Sequence, residues 1–201
     1  MAEPQSDKKT DVASMFDSIA HRYDFLNHFL SLGIDRIWRR RTIKVVRGLY
    51  VNPRILDVAA GTADLSIEAL KLNPNSIKGI DISDAMIGRG RQKLIKKGLD
   101  DKIELLHGDS ENIPFGDNSF DIVMAAFGVR NFPDPLKGLS EMTRVVATGG
   151  TVLVLEFSKP VFFPFKQVYN FYFLNILPLI GRLLSKNKSA YRYLPDSVMR
   201  F

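Results

Sequence analysis

Residues Arg54-Ile-Leu-Asp-Val58, followed by Ala59-Ala-Gly-Thr62, decide the fold of this chain. The first five are mostly apolar and predict a buried strand, and the small residues after them predict a tight loop. Residues 64–72 are then predicted to form a helix that ends at Asn73-Pro74. A buried strand, a small-residue loop and a helix in this order begin a βαβ unit, which implies a parallel sheet.

The alternation of strands and helices continues on the C-terminal side of this stretch. We predict helices at 84–97 and 136–146, the second stopped by Gly149-Gly150, and strands at 76–81, 103–107, 119–126 and 151–157. Apolar strands that alternate with helices are typical of a sheet covered on both faces. The expected fold class is therefore α/β, with a doubly wound and mostly parallel sheet.

Two helices, 12–29 and 34–49, are predicted before the first strand. In the second helix we expect apolar residues to face the core (Ile34, Ile37, Trp38, Ile43 and Val46) and basic residues to face outward (Arg36, Arg39, Arg40, Arg41, Lys44 and Arg47). Residues 1–11 are polar, lack the apolar region of a signal peptide, and are expected to be a disordered tail. Residues 12–201 are expected to form a single domain.

The composition excludes several classes of protein. The 201 residues carry a formal net charge of +6 and contain no cysteine, which rules out disulfides, a thiolate nucleophile and cysteine-based metal sites. The three histidines include no pair with helical zinc-ligand spacing, so we expect no metal. Because no run of about 20 apolar residues occurs, we expect no spanning helix. The expected location is cytoplasmic, which includes the inner face of the membrane.

Polar side chains accompany three successive strands of the predicted sheet. Asp57 lies in the first strand and is followed by the loop with Gly61 and Thr62; Asp81 ends the second strand, and Asp109 with Ser110 follows the third. The carboxyl ends of parallel strands meet at one edge of a sheet, where a carboxylate can take both hydroxyls of a ribose. The spacing therefore predicts a site for a nucleoside-bearing cofactor, although Asp57 could instead bond loop amides and Asp81 could cap a helix.

The first loop favours one cofactor over another. A dinucleotide site requires the pattern G-x-G-x-x-G, whereas Ala59-Ala-Gly61-Thr-Ala63-Asp64 contains a single glycine. We also expect Asp64 to direct negative charge toward a bound pyrophosphate, which would oppose NAD. S-adenosylmethionine carries an amino acid head and a sulfonium instead of phosphates, so it is the preferred interpretation, with a Rossmann oxidoreductase as the rival.

Longer motifs carry a resemblance to a known family. They are Phe16-Asp-Ser-Ile-Ala-His-Arg-Tyr-Asp24, Leu56-Asp-Val-Ala-Ala-Gly-Thr62, Phe127-Gly-Val-Arg-Asn131, Leu155-Glu-Phe-Ser-Lys-Pro160 and Ala190-Tyr-Arg-Tyr-Leu-Pro-Asp-Ser197. With these motifs the chain resembles the class I S-adenosylmethionine-dependent methyltransferases, and within them the menaquinone/ubiquinone biosynthesis C-methyltransferase family. The resemblance runs from about Phe16 to Phe201.

This resemblance implies a set of cofactor-binding residues. Thr62, Asp81, Asp109 and Ser110 correspond to cofactor ligands, Gly61 and Asp57 to loop formers around the methionine moiety, and Ala126 to the end of the fourth strand beneath the cofactor. The chain departs from the family in two places. Ala63 stands where glycine is usual, and the sequence stops at Phe201, so we expect the last strands of the family fold to be missing.

The resemblance also implies a reaction: methyl transfer from S-adenosylmethionine to a ring carbon of a prenylated quinol, demethylmenaquinol being favoured. The alternatives are 2-polyprenyl-6-methoxy-benzoquinol methylation in ubiquinone biosynthesis and a non-catalytic scaffold that binds the cofactor. Candidate catalytic residues are Arg130 and Asn131 after the fourth strand, Glu156 at the end of the fifth, and Tyr23 on an N-terminal helix that acts as a lid. Structural readings stay open: Arg130 paired with Asp134, Glu156 paired with Lys159, and Tyr23 as a core aromatic.

The segment 161–184 is rich in aromatic residues and is followed by basic ones. This pattern suits a membrane interface or a channel for a prenyl tail, but it also suits a core helix. No nucleic-acid partner is expected, because Asn131 is followed by Phe132 and Pro133 and not by the N-P-P-Y/F loop of base methylases. A homo-oligomer is left open.

Overall fold

Parallel strands form the central sheet of the computed structural model, which describes residues 5–20, 31, 33–158, 162–164, 166–167 and 171. The strands in the described part of the chain are β1 (Arg54–Val58), β2 (Ser76–Asp81), β3 (Ile103–His107), β4 (Phe120–Ala126) and β5 (Val146–Leu155). Their order in the sheet is β3-β2-β1-β4-β5, and all pairs are parallel. Since β3 and β4 are neighbours in sequence but lie on opposite sides of the β2–β1 pair, the winding reverses beside β1, as in a doubly wound fold.

Helices connect or precede these strands. They are α1 (Gln5–Ile19), α2 (Ile34–Val45), α3 (Asp64–Ala69) with a 3-10 turn at Leu70–Leu72, α4 (Asp84–Lys97) and α5 (Pro135–Val145), and a second 3-10 turn (Val129–Asn131) follows β4. The caps of α4 are as predicted: the Ser83 hydroxyl accepts the N–H of Met86 at 3.1 Å, and Gly98 ends the helix with a φ of +63°. These caps place the start of α4 directly after β2.

The core occupies both faces of the sheet. In β1, Ile55 packs into a cluster that includes Ile43 of α2 and Leu94 of α4, while its neighbour Leu56 packs on the other face with Met142 of α5. Burial of each such side chain contributes about 1.5–3 kcal/mol. A strand whose side chains are buried on both faces of the sheet is held rigidly. Its carboxyl end therefore provides a fixed position for a site.

Strand β5 differs from its predicted range. It begins at Val146, five residues before Thr151, because Phe120 pairs with Val146 while Ile122 pairs with Thr151. The extra residues form an irregularity in the ladder in which Gly149 has a φ of +79°. The glycine pair therefore serves a β-bulge and not a helix stop.

The predicted inner face of α2 is also partly wrong. Ile43 and Val46 are buried, but Ile34 and Ile37 are 41% and 47% exposed, and Arg39, predicted to face outward, is only 7% exposed. Arg39 forms an ion pair with the fully buried Asp35 one helical turn earlier. This ion pair explains why α2 turns a different face inward from the predicted one. Two opposite charges four residues apart can be buried together, whereas one charge alone could not.

The N-terminal helix begins earlier than predicted. Helix α1 starts at Gln5, so residues 5–11 are helical where we expected a disordered tail, and the helix predicted for 12–29 is seen as far as Ile19. Residues 21–30 lie outside the described part of the chain. The chain divides into two compact units, Met1–Leu155 with the sheet and Glu156–Phe201. Across the residues described in both units, no helix is long and apolar enough to cross a membrane.

Candidate functional site

A cleft lies in the first unit, beyond the carboxyl ends of the central strands. It contains about 680 Å³ of empty space, part of it open to solvent. Its walls come from α1, from the loops after β1, β2 and β3, and from the turn after β4: Val12, Phe16, Ala59, Gly61, Asp81, Ile82, Met86, Gly108, Asp109, Ser110, Ala126, Phe127, Gly128, Asn131, Phe132 and Pro133. The predicted edge of the sheet is thus a concave site next to the point where the winding reverses.

The loop after β1 has an unusual backbone. Ala59, Gly61 and Ala63 all have left-handed φ values, of 56°, 56° and 69°. The loop is held to β2, since the N–H of Ala60 donates to the carbonyl of Ile80 at 3.0 Å. Ala63 is fully buried and lies outside the cleft wall, so its methyl group does not crowd a ligand there. The alanine is accommodated by a conformation that costs a residue with a Cβ about 1–2 kcal/mol.

Asp81 is the central polar group of the cleft. Its Oδ2 accepts the N–H of Gly61 at 2.8 Å, and its Oδ1 accepts the N–H of Ser83 at 2.9 Å. Burial raises the pKa of this carboxyl, and the N–H groups of Ser83 and Gly61 act in the opposite direction. A carboxylate has about four acceptor positions, so these bonds leave capacity for a hydroxyl donor such as that of a ribose.

Asp109 and Ser110 lie together in the cleft wall, as predicted. Oδ1 of Asp109 accepts the N–H of Glu111 at 2.8 Å, which fixes the carboxylate in the loop after β3. Ile82 and Met86 supply apolar surface in the same cleft. Two fixed carboxylates and apolar surface in the same cleft form a suitable environment for a nucleoside.

Asp57 and Thr62 do not belong to the cleft wall, although both were predicted to be near the cofactor. Asp57 is 1% exposed and accepts the hydroxyl of Ser66 on α3 at 2.5 Å. Burial raises the pKa of Asp57 to about 7, and the bond from Ser66 lowers it. The hydroxyl of Thr62 accepts a bond from Nζ of Lys93 on α4 at 2.9 Å. Asp57 lies in β1, before the loop, and its bond from Ser66 ties α3 to the strand. The bond from Lys93 to Thr62 ties the loop to α4, so both side chains support the loop from within the protein.

The expectation for Asp64 is wrong in its direction. Its Oδ1 is 2.9 Å from Nζ of Lys93, and its Oδ2 is 4.0 Å from the guanidinium of Arg39. The carboxylate therefore faces cations outside the cleft wall and does not direct negative charge at a ligand there. The single glycine of the loop remains as the argument against a dinucleotide.

The turn after β4 closes the other end of the cleft. Ala126 lies in the wall, as predicted, and Phe127 adopts a left-handed φ of 59° while its N–H donates to the carbonyl of Leu155 at 2.7 Å. The Phe127 ring packs 6.2 Å from Trp38 and 5.3 Å from the Arg39 guanidinium. Backbone strain in a buried aromatic residue persists only where the surroundings hold it, and such positions cluster at functional sites.

The candidate catalytic residues are placed differently from one another. Asn131 is buried, lies in the cleft wall, and its amide is 3.4 Å from the carbonyl of Phe127. Arg130 lies outside the wall, and its Nη1 donates to the same carbonyl at 2.5 Å. Glu156 belongs to the second unit, where its Oε1 accepts the N–H of Phe157 at 3.0 Å. Tyr23 lies outside the described residues.

Several wall residues were not predicted as site residues. Val12 and Phe16 lie four residues apart on α1, and Met86 lies in the first turn of α4. Helical periodicity cannot tell an apolar residue facing the core from one facing a cleft. Phe127 could have been noticed, since it begins the family motif ending at Asn131. Among the described residues, no cluster of His, Asp and Glu is arranged to hold a metal ion.

The chain has relatives among known proteins. Residues 4–201 match the ubiE/COQ5 methyltransferase family. The chain belongs to this family. It is 49% identical over 198 residues to the ubiquinone/menaquinone biosynthesis C-methyltransferase UbiE of Geotalea daltonii, covering 98% of this chain and 83% of that protein. It is 47% identical over 195 residues to the demethylmenaquinone methyltransferase of Bacteroides fragilis, covering 96% of this chain and 79% of that protein.

Solved structures share the fold. A Methanococcus maripaludis protein assigned as an S-adenosyl-L-methionine-dependent methyltransferase matches with a TM-score of 0.64 and 18% identity, over 92% of this chain and 83% of that one. A Bacillus halodurans protein assigned as a methyltransferase matches with a TM-score of 0.56 and 26% identity over 66% of this chain, which spans 56% of that chain. The predicted family and the doubly wound fold are confirmed.

Proposed function

We propose that this chain transfers a methyl group from S-adenosylmethionine to a ring carbon of a prenylated quinol, and that demethylmenaquinol is the acceptor. The observation that carries the proposal is the cleft in which Asp81 and Asp109, after adjacent strands, face a wall shared with Phe127 and Asn131. The names of the relatives from Geotalea daltonii and Bacteroides fragilis support quinone biosynthesis as the process. The benzoquinol of ubiquinone biosynthesis is the alternative acceptor.

The cleft fits the cofactor. Asp81 has acceptor capacity left for a ribose hydroxyl, and Asp109 can accept from the adenine amino group. A Cβ on Gly61 would meet no atom within 4 Å, so the loop leaves open space beside its backbone. Among the wall residues that the structure describes, the charged ones are carboxylates, which suits a cationic sulfonium. When bound, S-adenosylmethionine supplies an electrophilic methyl group.

The wall around the turn after β4 suits the acceptor ring. Phe127, Phe132 and Pro133 provide apolar surface, and Asn131 provides an amide among them. A ring carbon is a weak nucleophile until a neighbouring hydroxyl loses its proton, and assistance to that loss is worth about a hundredfold or more. We assign Asn131 to bind and orient that hydroxyl, since among the candidate catalytic residues that the structure describes it is the one in the wall.

Other predicted catalytic residues take supporting or separate roles in this proposal. Arg130 donates to the Phe127 carbonyl. This bond favours a role in which the guanidinium stabilises the turn over a role in which it contacts a phenolate. Glu156 is proposed as the proton acceptor on chemical grounds, being a carboxylate next to β5 in the sequence. Tyr23 is proposed to contribute to the lid with α1.

Methyl transfer from labelled S-adenosylmethionine to reduced demethylmenaquinol in detergent tests this function. We expect a methylated naphthoquinol, and we expect Asn131→Ala to lower kcat by about a hundredfold, the effect of removing one donor from a reacting oxygen. Asn75→Ala is the matched control, because Asn75 is exposed and lies at the opposite edge of the sheet, before β2. Cofactor binding without transfer to any quinol would favour the non-catalytic scaffold instead.

Cells that lack the methylation step identify the acceptor. The chain, supplied to such cells, is expected to restore menaquinone. Restoration of ubiquinone alone would assign the benzoquinol alternative, and restoration of neither would contradict the proposed function.

We also propose that the chain contacts the membrane surface, where a prenylated acceptor resides. Two observations support the contact: α2 exposes a row of basic side chains (Arg36, Arg40, Arg41 and Lys44), and the described aromatics of the second unit, Phe162, Phe163 and Phe171, are 75%, 81% and 61% exposed. Cations near an anionic leaflet contribute about 1 kcal/mol each, which salt screens.

Vesicle sedimentation tests the contact. We expect salt-sensitive binding to phosphatidylglycerol vesicles and at least a tenfold loss for the double variant Arg40→Glu and Arg41→Glu, as follows from about 1 kcal/mol per charge. The variant Lys96→Glu and Lys97→Glu changes the net charge equally at the exposed end of α4, so it is the control. Equal recovery in the soluble fraction with and without vesicles would contradict the proposal.

A further inference from the structure

Helix α1 is bonded to the start of α4 at one carboxylate. Val12 and Phe16 of α1 belong to the cleft wall, and the next residue is Asp17. Oδ1 of Asp17 accepts the hydroxyl proton of Ser83 at 2.5 Å and the N–H of Ala85 at 3.2 Å. The carboxylate therefore lies at the positive end of α4, where the helix dipole favours a negative charge.

The bond from Ser83 to Asp17 is one link in a longer chain of hydrogen bonds. Ser83 is fully buried; its Oγ accepts the N–H of Met86 at 3.1 Å, and its own N–H donates to Oδ1 of Asp81 at 2.9 Å. The other oxygen of Asp81 accepts the N–H of Gly61 at 2.8 Å. A continuous chain of hydrogen bonds thus connects α1 to the loop after β1 (the cofactor loop), through Asp17, Ser83, Asp81 and Gly61.

We propose that Asp17 is a positioning residue for the cofactor, which holds α1 over the cleft through Ser83 and thereby keeps the Asp81 carboxylate and the α1 side chains in the geometry that binds an adenosyl group. A hydroxyl has one proton to donate, and Asp17 receives it while Met86 occupies an acceptor position, so the Ser83 side chain has a single orientation. Bonds to a carboxylate are roughly twice as strong as neutral ones. This role rests on the proposed binding of S-adenosylmethionine in the cleft.

Asp17 needs no cation for this role, because the Ser83 hydroxyl and the Ala85 N–H at the start of α4 both donate to its carboxylate. The carboxylates of Asp17 and Asp81 repel each other: burial raises the pKa of Asp81, and the charge of Asp17 adds to that rise. Ser83 bonds both carboxylates, through its N–H to Asp81 and its hydroxyl to Asp17, and so links α1 to the cleft.

Calorimetric titration with S-adenosylmethionine tests the role. We expect Asp17→Ala to weaken cofactor binding about tenfold, as loss of one charge-assisted bond predicts, and Asp17→Asn to weaken it less, because the amide oxygen can still accept from Ser83. Asp84→Asn is the matched control: it removes a carboxylate from the same helix end, one residue after Ser83, but Asp84 is bonded to His107 and is exposed. The control is expected to bind the cofactor within twofold of the unmodified chain.

A second measurement separates positioning from a loss of folding. Since the chain has no cysteine, a fluorophore on Ser18→Cys, an exposed residue of α1, reports the docking of this helix alone. We expect the cofactor to shift the fluorophore emission in the chain with Asp17 and not in the chain with Asp17→Ala, while the far-ultraviolet circular dichroism and melting temperature stay close in the two.

The outcomes are distinct. Cofactor affinity within twofold for Asp17→Ala, with the emission shift intact, would overturn the positioning role while leaving the proposed function untouched. The role would also be overturned if Asp17→Ala bound the cofactor more weakly but Asp17→Ala and Asp84→Asn lowered the melting temperature equally. The loss of a negative charge at the helix start would then account for the effect. An unmodified chain that binds no S-adenosylmethionine would overturn both this role and the proposed function.

Discussion

Asp57 provides a test of the electrostatics beneath the cofactor loop. Its carboxyl is buried under the loop, where burial raises the pKa to about 7 against an unfolded value of about 3.9. As the pH rises from 4 to 7, the unfolded chain releases this proton first, so the unfolded state binds fewer protons and stability falls. Above about pH 7 both states are ionised and the loss is complete.

The magnitude follows from the two pKa values. Their difference, multiplied by about 1.36 kcal/mol for each tenfold change in proton affinity, gives about 4 kcal/mol for ionising Asp57 in the folded state. Part of this cost is already present at pH 5, where the unfolded carboxyl is ionised, so about 2–3 kcal/mol is expected between pH 5 and pH 8. Asp57→Asn removes this component and keeps an oxygen for the Ser66 hydroxyl.

Urea unfolding of the unmodified chain and of Asp57→Asn, each at pH 5 and pH 8, measures this effect. The difference in the free energy of unfolding, Asp57→Asn minus unmodified chain, is expected to be about 2–3 kcal/mol larger at pH 8 than at pH 5. Asp121→Asn is the control of opposite sign: the bond from Arg54 lowers the pKa of Asp121, so its contribution is lost only in acid and is constant between pH 5 and 8. A difference between the chain and Asp57→Asn that does not change with pH would refute the reasoning from burial.

Other outcomes can be checked with single substitutions. Ala63→Gly should change the free energy of unfolding by less than about 1 kcal/mol, because relief of left-handed strain offsets the lost methyl and the added chain entropy, whereas Ala69→Gly, at a φ of −69°, should cost about 2 kcal/mol in urea titrations. A loss for Ala63→Gly as large as that for Ala69→Gly would contradict this. Gly128→Ala should weaken cofactor binding at least tenfold by calorimetry, since its Cβ would lie 2.7 Å from that of Ala59; an unchanged affinity would mean that the loop yields freely. Asp81→Asn should lower the affinity about 10- to 100-fold by removing a charged acceptor, and full affinity would exclude it as a ribose ligand.

The strands and the caps of α4 were predictable from the sequence because they depend on local patterns. Strands β1, β2 and β3 have the predicted bounds, as does α4 with Ser83 and Gly98 at its ends. Strand β5 was not predictable, since Gly149-Gly150 is compatible with a helix stop and with a bulge, and only the pairing with β4 selects the bulge.

The site was predictable in outline and not in its details. Asp81, Asp109 and Ser110 meet in one cleft because they follow strands that end at one edge. Arg39 lies inside although its neighbours in a basic run face solvent, and its burial depends on Asp35 and on the Phe127 ring. Such a partner is distant in sequence or hidden by a mixed pattern, so periodicity gives no signal for it.

The amino-acid sequence by itself determined the parallel α/β topology, the edge at which the polar residues gather, and the family, because each depends on the order of residues along the chain. Only the tertiary structure decided which of those residues face the cleft. Asp57 and Thr62 face inward, where they bond to Ser66 of α3 and Lys93 of α4, and the packing of α1 brings Asp17 to the start of α4. These directions result from contacts between segments far apart in sequence, which no local pattern encodes.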